Sequence, residues 1–197
     1  MPIVPSFPTA LPDVAAPPST LGEIAEALVQ VQGESARYWE GFSTEAFFAP
    51  LGRGWSPADQ VRHLNKSLLP VVLGMWMPRW GLRLLFGRPE TPARSFLTIR
   101  DGYLAVLRAG GQAGRYAPSP LDPAQATEAT RQRLMWRHER ILVLLLRTMH
   151  RWPEAGLDQY CLPHPLLGKL TVREMLFFTL YHNLHHVHVA ECRRREG

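Results

Sequence analysis

Four long stretches of this chain open with a helix start signal and continue with apolar residues at helical spacing, and no segment sustains the period-two alternation of a half-buried strand. Thr20 and Glu23 form a capping box, after which Leu21, Ile24, Ala25, Leu28 and Val31 recur on one face. Ser56, with Pro57 at the first helical position and Asp59 at the positive end of the helix dipole, opens a second stripe of Val61, Leu64, Leu68, Val71, Val72 and Met75. Asp122 and Pro123 precede a third, built on Leu134, Ile141, Leu142, Leu145 and Met149, which Trp152 and Pro153 end. Thr171 and Glu174 make the last capping box. The signals predict helices over about 20–40, 56–79 (bent at Pro70), 122–150 and 171–194. A shorter helix over 94–109, ended by Gly110 and Gly111, falls in the connector between the second and third. The fold class is all-α, a four-helix bundle. Six of the 18 prolines lie within residues 1–18, where a fixed φ and a missing donor oppose helix. Residues 1–19 therefore read as an extended proline-rich arm on a single domain spanning 20–197.

A chain of 197 residues removes roughly 70% of its unfolded surface from water and folds without disulfides or a structural metal, so a bound metal would serve function. The net charge of +5 comes from two lysines and twenty arginines that are scattered except at Arg193, Arg194 and Arg195. Arg131, Arg133, Arg137 and Arg140 do not share one helix face, which disfavours nucleic acid as a partner. Cys161 and Cys192 make no disulfide framework and no leader pattern opens the chain, so the expected location is cytoplasmic. The longest apolar stretches, Leu68 to Met77 and Ile141 to Leu146, fall short of the ~18 residues of a membrane span.

The chemistry is concentrated in YHNLHHVHV, residues 181–189. His182 and His186 are one turn apart on a face shared with Met175, Phe178 and Val189, and so can bind one ion together. His185 lies beside the pair. His188 points elsewhere, facing Cys192 without a third ligand. Asn183 stands where a zinc-protease HExxH would place its glutamate, and the paired ExxH motifs of a di-iron bundle are missing. His138 falls on an apolar stripe and reads as a core histidine or a support behind the ligands; His164 and His150 read as loop and helix-end residues. Tyr38, Trp39, Trp76, Trp80 and Trp136 read as core or bundle-end residues. Leu176, Leu180, Leu184 and Val187, facing away from the histidines, read as an apolar surface for a homodimer.

WSPADQVRHL, residues 55–64, followed by HPLLGKLTVREMLFFTLYHNLHHVHVAE, residues 164–191, resembles the DinB-like superfamily of four-helix bundles, which includes the bacillithiol and mycothiol S-transferases. The resemblance spans roughly residues 20–195, leaving out the arm and the 81–120 connector. It implies a divalent-metal site on His63, His182 and His186. On the helical wheel His63 lies off the apolar stripe, beside Asp59, Ser67, Pro70 and Gly74, which suits either a surface histidine or a cleft; the resemblance selects the cleft.

Two functions follow as expectations. The first is an enzyme in which zinc or nickel, or else iron or manganese, activates a low-molecular-weight thiol such as bacillithiol, or water, toward an electrophile. His185 and Asp59 are its nearest candidate bases. The alternative is a metal-binding stress-response or interaction bundle without turnover. Because imidazole ligands must be neutral, metal affinity is expected to fall as pH drops through about 6.5 and below.

Overall fold

The computed structural model describes residues 17–196, so most of the expected proline-rich arm, residues 1–16, lies outside the described residues. The first capping box is formed: the Thr20 hydroxyl accepts from the Glu23 N–H and the Glu23 carboxylate from the Thr20 N–H, starting α1 (Leu21–Glu40). After a single-turn helix α2 (Thr44–Phe48), the Ser56–Asp59 box starts α3 (Pro57–Trp76), which continues through Pro70. The helix expected to reach 79 stops three residues earlier. Pro78 holds Met77 extended, at φ −61° and ψ 142°, and a separate helix α4 (Arg79–Phe86) follows. The connector helix α5 spans Phe96–Arg108.

The third long helix begins later than expected. Asp122 and Pro123 do cap a turn, with Asp122 Oδ1 accepting from the Ala124 N–H at 2.9 Å, but it is a single 3-10 turn over Pro123–Gln125. The chain is then extended at Thr127, whose hydroxyl caps α6 (Glu128–Met149). Before the last helix the chain makes a small antiparallel hairpin, β1 (Cys161–His164) with β2 (Gly168–Thr171), in which His164 pairs with Gly168. Gly168 takes φ +72°, a left-handed conformation that a side chain would strain. The third capping box, Thr171 with Glu174, leads directly from β2 into α7 (Val172–Glu196).

The four long helices α1, α3, α6 and α7 form the bundle, with α3 packed on both α6 and α7, and α1 on the other sides of the same two. The all-α bundle stands, with the hairpin as its one addition among the described residues. The apolar stripes meet in a core that includes Ile24, Leu28, Trp39, Val61, Leu142 and Leu145. α7 is enclosed on nearly every side, by α1, α3, α5 and the hairpin. Leu176, Leu180, Leu184 and Val187 are therefore buried within the chain, and the dimer surface inferred from them does not exist. Tyr38 and Trp39 are core residues as expected, whereas Trp76, Trp80 and Trp136 are exposed. No described helix is long and apolar enough to cross a membrane.

Candidate metal centre

α3 supplies His63 and α7 supplies His182 and His186, 119 residues further along, and all three imidazoles are buried. The wheel places His63 off the α3 stripe because α3 buries two faces, one against α6 and one against α7, and His63 lies on the second. Nε2 of His63 is 3.1 Å, and Nε2 of His186 3.0 Å, from Nε2 of His182. Three Zn–N bonds of 2.0–2.1 Å in a tetrahedral arrangement would hold their nitrogens about 3.3 Å apart, close to this spacing.

The far side of two rings decides what the near side presents. His63 Nδ1 donates to the carbonyl of Tyr116 at 2.9 Å, and His186 Nδ1 donates to Oε1 of Gln60 at 2.5 Å. With their one proton on Nδ1, both rings turn a bare Nε2 lone pair toward His182, which can donate at most one hydrogen bond in return. Burial lowers the pKa of His63, and lowers those of His182 and His186 well below the ordinary histidine value, where the positive charge of neighbouring protonated rings adds to the effect. Converging, neutral, buried nitrogen lone pairs form a donor set suited to a cation. The three histidines form the cluster that could hold a metal ion among the described residues.

Trp55 covers the cluster, stacked on His186 at 6.1 Å between ring centroids with planes 5° apart, and 5.1 Å from His63. On the other side, His63 and His182 form part of the wall of a cavity of about 310 Å³, otherwise mostly apolar. Phe178 stacks on His182 and lines this cavity.

The remaining sequence candidates are placed differently. His185 sits with its ring 5.4 Å from His186 and 5.5 Å from Tyr103, and burial pushes its pKa down to about 4, but it does not line the cavity. Asp59 is taken up as the α3 cap: Oδ2 accepts from the Ser56 backbone and hydroxyl, and Oδ1 from Arg62. It borders a separate cavity beyond Trp55. His138 is the core histidine expected, donating from Nδ1 to Asn65 Oδ1 at 3.0 Å. His188 lies 3.5 Å from the Cys192 sulfur, with no third ligand among the described residues. Gln60 escaped the sequence reading although it precedes His63 by one turn. Tyr116 acts through its backbone carbonyl, which no side-chain pattern announces.

A bundle with a three-histidine cluster between two of its helices, opening on an apolar cavity, defines a class of all-helical domains with side chains that could hold a metal ion. The DinB superfamily model matches residues 27–190, and the chain belongs to that superfamily. No curated protein and no solved structure significantly matches it.

Proposed function

We propose that His63, His182 and His186 hold one divalent ion, zinc or nickel before iron or manganese, and that the protein is a metal-dependent enzyme joining a low-molecular-weight thiol of the bacillithiol type to an electrophile in the cytoplasm. The observation that carries this reading is the convergence of the Nε2 atoms at one end of an apolar cavity. An ion held there by three imidazoles would act as a Lewis acid, lowering the pKa of a thiol or water. The chain does the rest. Gln60 and the Tyr116 carbonyl hold the Nδ1 protons of His186 and His63 and so fix both tautomers. Trp55 and Phe178 pack against the imidazoles and exclude water from them. The cavity admits the second reactant beside His63 and His182. Of the two candidate bases, Asp59 is taken up by the α3 cap, which leaves His185, next to His186 though not on the cavity wall, as the side chain assigned to take up a proton.

The test starts with metal analysis of untagged protein. His63→Ala, His182→Ala and His186→Ala should each cut metal binding sharply while circular dichroism stays helical, since the core does not depend on the site. His188→Ala should leave metal content unchanged. Adding bacillithiol to the cobalt-loaded protein should alter its visible spectrum, and the three variants should lose that response together with thiol transfer. A full metal site whose spectrum no biological thiol changes would reject thiol transfer in favour of hydrolysis or a non-catalytic bundle.

A further inference from the structure

The hairpin places a fourth histidine on the cavity wall, and its hydrogen bonds fix what that histidine offers. His164 ends β1, and its Nδ1 accepts from the backbone N–H groups of Leu166 and Leu167, at 3.2 and 3.0 Å, inside the turn that Gly168 closes. A nitrogen that accepts two backbone N–H bonds carries no proton, so the proton of the neutral ring is on Nε2, at the opposite edge. Burial keeps the ring neutral, pushing its pKa down to about 4. The His164 ring packs on Phe178 at 4.1 Å between centroids, and Phe178 stacks on His182 at 4.8 Å. The donor is thus one aromatic ring away from the three-histidine cluster, on the same cavity.

The walls specify the rest of the ligand. Pro70, Val71, Leu73, Met77, Leu162 and Phe178 present apolar surface, and among the described residues no carboxylate lines the cavity. Among the described residues the only one lining the cavity with a charge at neutral pH is Arg115, whose guanidinium lies over the Tyr116 ring at 5.1 Å and donates to the Tyr116 hydroxyl at 3.1 Å. A charged ligand would leave water for apolar walls with little to replace its hydration, whereas an uncharged one with a single acceptor oxygen loses little and meets the Nε2–H.

We propose that this cavity binds a small, uncharged, largely apolar molecule bearing a carbonyl oxygen, and that His164 Nε2–H donates a hydrogen bond to that oxygen. As the identity of the electrophile in the proposed reaction, this rests on that reading; as a binding site, it does not need the metal.

The experiment titrates acetophenone, ethylbenzene and benzoate into the full-length protein, with and without zinc, following the imidazole ¹⁵N and ¹H resonances by NMR. The ketone should bind roughly three- to tenfold more tightly than ethylbenzene, the size of one neutral hydrogen bond, and benzoate should bind more weakly than the ketone. In the free protein the His164 spectrum should report Nε2–H with an unprotonated Nδ1. The Nε2–H proton should shift with the ketone and not with ethylbenzene. His164→Asn keeps an acceptor for the turn and lacks the far-edge donor, so it should lower ketone affinity to the ethylbenzene level and leave ethylbenzene affinity unchanged. Should that variant not fold, the wild-type Nε2–H shift decides. Equal affinities for ketone and ethylbenzene, tightest binding of benzoate, or no binding of any probe would each overturn the proposal. Ketone binding by a protein that takes up no zinc would overturn the functional reading and leave this site standing; zinc uptake without ketone binding would do the reverse.

Discussion

The carboxamide of Gln60 on α3 accepts a hydrogen bond from Nδ1 of His186 on α7, at 2.5 Å and out of contact with solvent. One residue of α3 thus sets the tautomer of a histidine on a different helix, while His63, a turn later, takes its own from the Tyr116 carbonyl. Gln60→Leu should remove the first of these controls, freeing the His186 ring to move its proton to Nε2. Support of this kind behind a ligand is typically worth 10–100-fold in metal affinity, and about that loss is expected. Competition with a zinc chelator measures it; an unchanged affinity would show that α7 alone orients the ring.

Acid should act on the metal centre later than free imidazole would suggest. Burial lowers the pKa values of His63, His182 and His186, so in the folded protein these rings should stay neutral to lower pH than free imidazole and protons should compete with metal at correspondingly lower pH. The sequence expectation, a loss through about 6.5 and below, is thereby narrowed to the lower part of its range. Metal content after equilibration across pH 7 to 4 locates the loss, and a midpoint at 6.5 or above would mean that the site is open to water.

The fold itself should weaken in the same direction. His138 is fully buried and titrates near 4 when folded, against about 6.5 when unfolded. Between those values the unfolded chain binds more protons, so stability is complete above about 6.5 and falls as pH is lowered toward 4. That one histidine accounts for about 3 kcal/mol by pH 4, taking its folded value of about 4. An NMR titration should place the His138 imidazole near 4, with thermal unfolding of the metal-free protein moving to lower temperature over the same range. A His138 midpoint near 6.5 would contradict it.

Glu174 is a second buried point of stability. It accepts from the Thr171 N–H, the Arg94 N–H and the Arg94 guanidinium, joining the hairpin exit to the start of α5. Burial opposes its charge, but these donors outweigh it and hold the carboxyl below the ordinary value. Glu174→Ala removes the cap and the pair together and should cost roughly 2–3 kcal/mol in urea unfolding. A loss under about 0.5 kcal/mol would show that Arg94, half in solvent, contributes little.

The bundle was legible because its signals are local. Thr20 with Glu23, Ser56 with Asp59 and Thr171 with Glu174 each cap the helix they announce. Asp122–Pro123 misled because the same residues start a single 3-10 turn as readily as a long helix, and only the extended backbone at Thr127 separates the two. The HxxxH pair was legible as spacing. His63 needed the family resemblance, since a helix buried on two faces has no single stripe against which to judge it. Leu176 and Leu180 misled for the same reason, on α7. The support for the ligands was not legible: Gln60 and the Tyr116 carbonyl meet histidines more than 50 residues away, through contacts that only tertiary packing creates.

The hairpin contributes Leu162, Pro163, His164, Pro165 and Leu166 to the cavity and no imidazole to the three-histidine cluster. It is joined covalently to the helix that carries two of those imidazoles, yet none of its own side chains is a member of the cluster. Such an arrangement would let selectivity behave as a cassette: exchange of residues around 162–167 would alter the cavity wall while leaving the identity of the three nitrogen donors as it is.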